Sequence, residues 1–189
     1  MVTTLRWPLN NRRWIESELA NARGQDEPGK LAAIARIVKW EDPGAGGFYD
    51  NLGQRWTEPH LVLEPGWEAD PGYCVSAQDE FGGAENGRLS WQCQAQTLFG
   101  RPLRMRYEGL DPNASYRLRV TYAGRHRATA MLTANGRWEV HGPLGPSDPI
   151  APVAFDLPRE ATAGGTLELE WRRVTKRGVQ VAEVWLMRG

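Results

Sequence analysis

The sequence predicts a mainly β protein, an antiparallel sandwich or barrel led by a short helical segment. Three observations predict it. In the second half of the chain, apolar residues alternate with polar ones. Leu103, Met105 and Tyr107 alternate with Arg104 and Arg106; Tyr116, Leu118, Val120 and Tyr122 with Arg117, Arg119 and Thr121; Leu167, Leu169 and Trp171 with Glu168 and Glu170. A period of two means strands that bury one side and wet the other. Turn-forming stretches such as GLDPNAS separate these runs, as in sheets of antiparallel neighbours. The 21 Gly and 13 Pro of this 189-residue chain fit a loop-rich β fold.

Taken in order, residues 1–42 read as helical. NNRRWIESELANARG puts Trp14, Ile15, Leu19 and Ala22 at helical spacing, with Asn to open the helix and Gly24 to end it. KLAAIARIVKW puts Leu31, Ile34, Ile37 and Val38 on one stripe, stopped by Pro43. Helices this short need a partner to pack on. They are expected to lie against the β domain or to be the tail of an upstream domain of the same parent chain. Residues 43–189 read as the β domain. Residues 41–99 are irregular, with short strands expected at 61–63 and 89–98. Further strands are expected at 128–133, 136–140, 153–157 and 178–187. In the last, Glu183 shares parity with Val181 and Trp185, so it signals either a bulge that shifts phase or a satisfied buried carboxylate. The bulge is the favoured reading.

Composition excludes several function classes. Lys+Arg 23 balance Asp+Glu 23, which removes the electrostatic case for nucleic acid or an anionic membrane. No run approaches the roughly 20 apolar residues of a membrane span. MVTTLRWPLNNRRW lacks the apolar centre of a signal peptide. The location is therefore open, extracellular or periplasmic if a parent chain carries an export signal. HExxH, GxSxG, a phosphate-binding loop and a dinucleotide fingerprint are all missing, and His60, His126 and His141 are scattered. Cys74 and Cys93 are read as two buried thiols or as one disulfide.

GLDPNASYRLRVTYAG resembles a strand pair of galactose-binding-like and malectin-like jelly rolls, and VAEVWLMR resembles their closing strand. The resemblance covers residues 100–189. It implies an antiparallel jelly-roll β-sandwich of the kind found C-terminally in large bacterial proteins that act on carbohydrate. It also implies a non-catalytic accessory domain whose partner is an oligo- or polysaccharide.

Nine Trp exceed what a core of this size absorbs. Sugar recognition uses flat rings for the C–H faces of pyranoses and polar side chains for their hydroxyls. Residues 48–91 supply both, with Trp67, Tyr73 and Trp91 as stacking candidates and Asp50 and Arg88 as polar ones. Rings that clamp long loops onto a sandwich would give the same pattern. No cofactor is expected, although Glu41, Asp42, Asp50 and Asn51 offer oxygen ligands for a structural calcium ion. A catalytic carboxylate pair from Asp50, Asp70, Asp79, Glu80 and Glu85 is the third-ranked reading, behind sugar binding and bracing of a neighbouring domain. The outward Arg and Glu of the strands are expected to form cross-strand ion pairs.

Overall fold

The computed structural model describes residues 12–53, 60–71, 91, 93–124 and 126–189, with side chains from residue 15 onward. Two helices come first, α1 (Arg12–Arg23) and α2 (Glu27–Val38). The Asn expected to open α1 lies outside the described residues, as does the Trp14 side chain. α2 begins earlier than its apolar stripe suggests, because Asp26 caps it by accepting the Gly29 amide at 3.0 Å and Pro28 fits the first turn. It ends at Val38, short of Pro43. The helices pair with each other through small residues, with Ala22 and Ala33 buried between them. Leu31, Ile34 and Val38, which the periodicity assigns to a buried stripe, stay 61%, 49% and 73% exposed.

The strands follow as β1 (Phe48–Asn51), β2 (Ala95–Gln96), β3 (Leu103–Glu108), β4 (Tyr116–Tyr122), β5 (Thr129–Ala134), β6 (Trp138–Leu144), β7 (Val153–Asp156), β8 (Thr166–Thr175) and β9 (Gln180–Arg188), with a one-turn helix α3 (Arg159–Thr162) before β8. One sheet has the order β1-β9-β4-β7, with β2 also on β9; the other has β3-β8-β5-β6. Every pairing is antiparallel. The pairs nest as β5 with β6, β4 with β7, β3 with β8 and β1 with β9, and the two sheets form a β-sandwich.

The alternation seen in the sequence sets the core. Leu103, Met105, Tyr107, Leu118, Val120, Leu167, Leu169 and Trp171 are all completely buried between the sheets. Each such side chain contributes on the order of 1.5–3 kcal/mol when removed from water. Asn135 and Gly136, both at positive φ, make the tight turn between β5 and β6. Asn135 also fixes that turn from two sides. Its Oδ1 accepts the Glu168 amide at 2.7 Å and its Nδ2 donates to the Ala161 carbonyl at 2.8 Å.

The edge of the first sheet is a strand cut in two. β1 runs along β9 from Leu186 to Glu183, the Leu52 amide donates to the Ala182 carbonyl, and β2 continues along Val181 and Gln180. The chain leaves this line after Gly53 and rejoins it at Cys93. Gly53 is needed there, since a Cβ on it would stand 2.2 Å from the Cys93 Cβ. Between those points His60 to Val62 lie against the opposite sheet. Leu61 bridges Met105, the Arg106 amide donates to the His60 carbonyl and the Val62 amide to the Arg104 carbonyl. The expected strand at 61–63 is thus a single bridge on β3. The one at 89–98 is reduced to β2 among the described residues. β1 is hidden in the sequence because Asp50 holds an inward position that a half-buried strand reserves for an apolar side chain.

Candidate ligand-binding surface

The β1–β9–β4–β7 sheet carries an unusual outer face. Opposed residues of an antiparallel pair share a face. The register therefore puts Tyr49, Trp185 and Arg119 in one row and Asn51, Glu183 and Thr121 in the next. A bulge follows, since Thr121 faces Glu183 while Tyr122 faces Val181. The extra residue, Ala182, turns Val181 into the core and leaves Glu183 outside it, as the favoured reading requires. The alternative also holds, because Glu183 is only 1% exposed. Its carboxylate accepts from the Tyr49 hydroxyl at 2.9 Å, the Trp91 indole N–H at 2.7 Å and, more weakly, the Thr121 hydroxyl at 3.4 Å. Tyr49 leans on Trp185 with ring centres 4.3 Å apart, Trp40 meets Tyr49 edge-on, and the Arg119 guanidinium lies 4.3 Å over the Trp185 ring. Trp91 is thereby fixed to the sheet by its indole N–H and is half-buried.

Trp67 has a different setting. It is 57% exposed and meets Phe99, itself 64% exposed, edge-on at 6.3 Å. The two rings stand on separate loops that are locked together, as the Leu98 amide donates to the Glu68 carbonyl at 3.1 Å. Each loop is also closed on itself. Ala69 and Asp70 amides bond the Gly66 carbonyl, and the Thr97 hydroxyl bonds the Arg101 carbonyl at 2.7 Å. Phe99 has φ 56°, a conformation that costs a non-glycine residue about 1–3 kcal/mol and persists where its surroundings impose it. The sequence reading misses Phe99; its place in a LFGRP turn is the only local signal.

Asp50 lies on the other face of β1, inside the sandwich, with no accessible surface. It accepts from the Tyr107 hydroxyl of β3 at 2.9 Å and from His60 Nδ1 at 2.9 and 3.1 Å. His60 stacks on Tyr107 at 4.5 Å and meets Phe48 edge-on. Burial, reinforced by the Asp50 charge, pushes the Tyr107 hydroxyl well above its ordinary pKa, so it stays a donor. In this arrangement Asp50 ties β1, β3 and the start of the excursion together and presents nothing to a surface ligand. Tyr73, Arg88, Asp79, Glu80, Glu85 and Cys74 lie outside the described residues, and with them the Cys74–Cys93 pairing. Of the oxygens considered for calcium, Asp42 accepts the Gly44 amide, while Asp50 and Asn51 occupy opposite faces of β1. Among the outward charges, Arg104 pairs with Glu170 across the strands, Arg106 turns to Glu108 on its own strand, and Arg117 pairs with Asp156. Among the described residues, no helix is long and apolar enough to cross a membrane.

A second polar chain crosses the sandwich elsewhere. The Trp171 indole donates to the Tyr122 hydroxyl at 2.8 Å, that hydroxyl donates to His141 Nε2, and His141 Nδ1–H donates to the Gly142 carbonyl at 2.6 Å. Only neutral His141 completes this chain. Burial lowers its pKa, against smaller raising effects of the Gly142 carbonyl and Glu139. In the unfolded chain the imidazole titrates near its ordinary value, about 6.5. Below that pH the unfolded state binds more protons than the folded one, so acid destabilises the fold. The loss is at most about 1.4 kcal/mol per pH unit and levels off below the lowered folded pKa. Urea midpoints should therefore fall between about pH 7.5 and 5.5, and His141→Phe should remove part of that slope.

No protein-family model matches the chain, and no curated protein matches it. Among solved structures it is similar to a β-glucuronidase of Bacteroides uniformis, with 13% identity and a TM-score of 0.43 over 60% of this chain and 13% of that one. It is also similar to a family 35 carbohydrate binding module of Clostridium thermocellum, with 14% identity and a TM-score of 0.39 over 76% of this chain and 92% of that one. The chain thus spans a small part of the glucuronidase and most of the module. At these scores the likenesses decide nothing about ligand or chemistry.

Proposed function

We propose that the protein is a non-catalytic carbohydrate-binding domain, serving as an accessory part of a larger polypeptide. The observation that carries this is the exposed Trp67–Phe99 pair. Two large rings are held in solvent by loops already hydrogen-bonded to each other, so little ordering entropy remains to be lost on binding. The rings stand at 75° to each other, so the open face of one of them, flat and apolar, suits the C–H face of a pyranose ring. The resemblance of GLDPNASYRLRVTYAG to galactose-binding-like jelly rolls supports the same reading. Trp91 belongs to the support of the surface, through its bond to Glu183.

Trp67→Ala is expected to weaken binding of a responsive oligosaccharide about tenfold, close to 1.4 kcal/mol. The melting temperature should stay within roughly 2 °C, as is usual for surface positions. A glycan array finds the ligand, and calorimetry with the wild type and the variant measures the loss. Unchanged affinity together with a melting temperature several degrees lower would make Trp67 a packing residue. A second reading, a domain that braces its neighbour, is favoured by the exposed Leu31, Ile34 and Val38 of α2. A pure brace would bind no glycan on the array.

A further inference from the structure

We infer that the Trp67–Phe99 surface takes a single, soluble glycan chain, one sugar residue at a time, and does not adhere to the flat face of a crystalline polysaccharide. The inference rests on the carbohydrate reading and narrows it to one class of ligand.

The angle between the rings decides the class. A crystalline polysaccharide offers a plane of pyranose rings that present their C–H faces in one direction. Adhesion to that plane needs aromatic rings that share a plane themselves, because each gains its contact only by lying flat on a sugar. Trp67 and Phe99 stand at 75° to each other, with ring centres 6.3 Å apart. When one lies flat on a crystal face, the other meets that face on edge. A lone sugar residue needs only one flat face. The second ring then borders the residue instead of extending the plane.

The inclination is built into the backbone. The Leu98 amide donates to the Glu68 carbonyl at 3.1 Å and ties the two loops together. The turn that carries Trp67 is closed by the Ala69 and Asp70 amides on the Gly66 carbonyl at 3.1 and 2.9 Å, and the turn that carries Phe99 by the Arg101 amide on the Leu98 carbonyl at 3.2 Å. Phe99 itself is held at φ 56°. Turning both rings into one plane would give up their edge-on contact, which is one of the favoured arrangements of an aromatic pair.

The polar surroundings point the same way. Glu68 follows Trp67 in the chain and is half-buried, and Arg101, two residues beyond Phe99, is exposed. A carboxylate accepts from hydroxyls and a guanidinium donates to them. A chain in solution offers its hydroxyls on every side. In a crystal they are largely engaged by neighbouring chains, so a broad face pressed on the rings would strip water from these charges and return few hydrogen bonds.

The test sets soluble probes against crystalline ones. ¹⁵N-labelled protein is titrated with cello-, chito-, xylo-, manno- and galacto-oligosaccharides and followed through the Trp67 indole N–H, assigned by its loss in Trp67→Ala. Wild type and Trp67→Ala are then mixed with microcrystalline cellulose and with crystalline chitin, and the protein left in solution is measured. The expected result is a saturable shift of the Trp67 signal with at least one oligosaccharide, and equal amounts of the two proteins left in solution over both powders. Removal of more wild type than Trp67→Ala by either powder overturns the inference and leaves the carbohydrate reading standing. A Trp67 signal that no oligosaccharide moves, with no difference on the powders, overturns both. Should Trp67→Ala fail to fold, Trp67→Phe assigns the signal and Phe99→Ala replaces it on the powders, since adhesion to a plane would need both rings.

Discussion

Asp50→Ala is expected to destabilise the fold by about 2–4 kcal/mol, the largest effect of any single polar change on the β1 edge. The variant strips the Tyr107 hydroxyl of its acceptor inside the core and leaves His60 Nδ1 without its carboxylate. Orphaning a buried donor costs on the order of 1–3 kcal/mol, and breaking a buried charged contact costs more, moderated here because His60 is partly exposed. For a chain of this length the loss corresponds to a melting temperature lower by roughly 5–15 °C. Tyr107→Phe in the Asp50→Ala background should recover part of it, because the orphaned hydroxyl is then gone. Thermal melts of the two variants check this. A melting temperature unchanged in Asp50→Ala, with lost sugar binding, would return Asp50 to the ligand site.

Trp171→Ala is expected to cost about 3–5 kcal/mol, the range for deleting a large buried ring. Trp171 is completely buried in β8, opposite Leu103 on one side and Leu132 on the other. Its removal empties the centre of the sandwich and also takes away the indole that donates to Tyr122. Trp171→Phe should lose less, since most of the volume stays. Denaturant unfolding of both variants measures the difference, and a loss under about 1 kcal/mol for Trp171→Ala would contradict the packing described.

The regular strands are legible because their environment is simple. From β3, β4 and β8 one face meets the opposite sheet, so Leu103, Met105, Tyr107, Leu118, Val120, Leu167 and Leu169 announce themselves by alternation. β9 reads less clearly because it is central and covered on both faces. There Glu183 looks like an error of pattern until the bulge at Ala182 and the donors from Tyr49, Trp91 and Thr121 are seen together. β1 is obscured for a related reason, its inward Asp50 being satisfied by Tyr107 and His60, 57 and 10 positions away. Trp67 and Trp91 carry the same residue type in the same irregular stretch. One stands in solvent and the other is tied to Glu183.

By itself the sequence determined the class of fold, the inward side of most strands, the presence of two leading helices and the balance of charge. These follow from local periodicity and composition, which a single chain displays without any knowledge of its contacts. The tertiary structure decided the rest. It showed which aromatic rings remain exposed, that Phe99 joins Trp67 and that Asp50 faces inward. Each of these depends on residues far apart in the chain being brought into register by the winding of the two sheets, and pairing at long range leaves no periodic trace in the sequence.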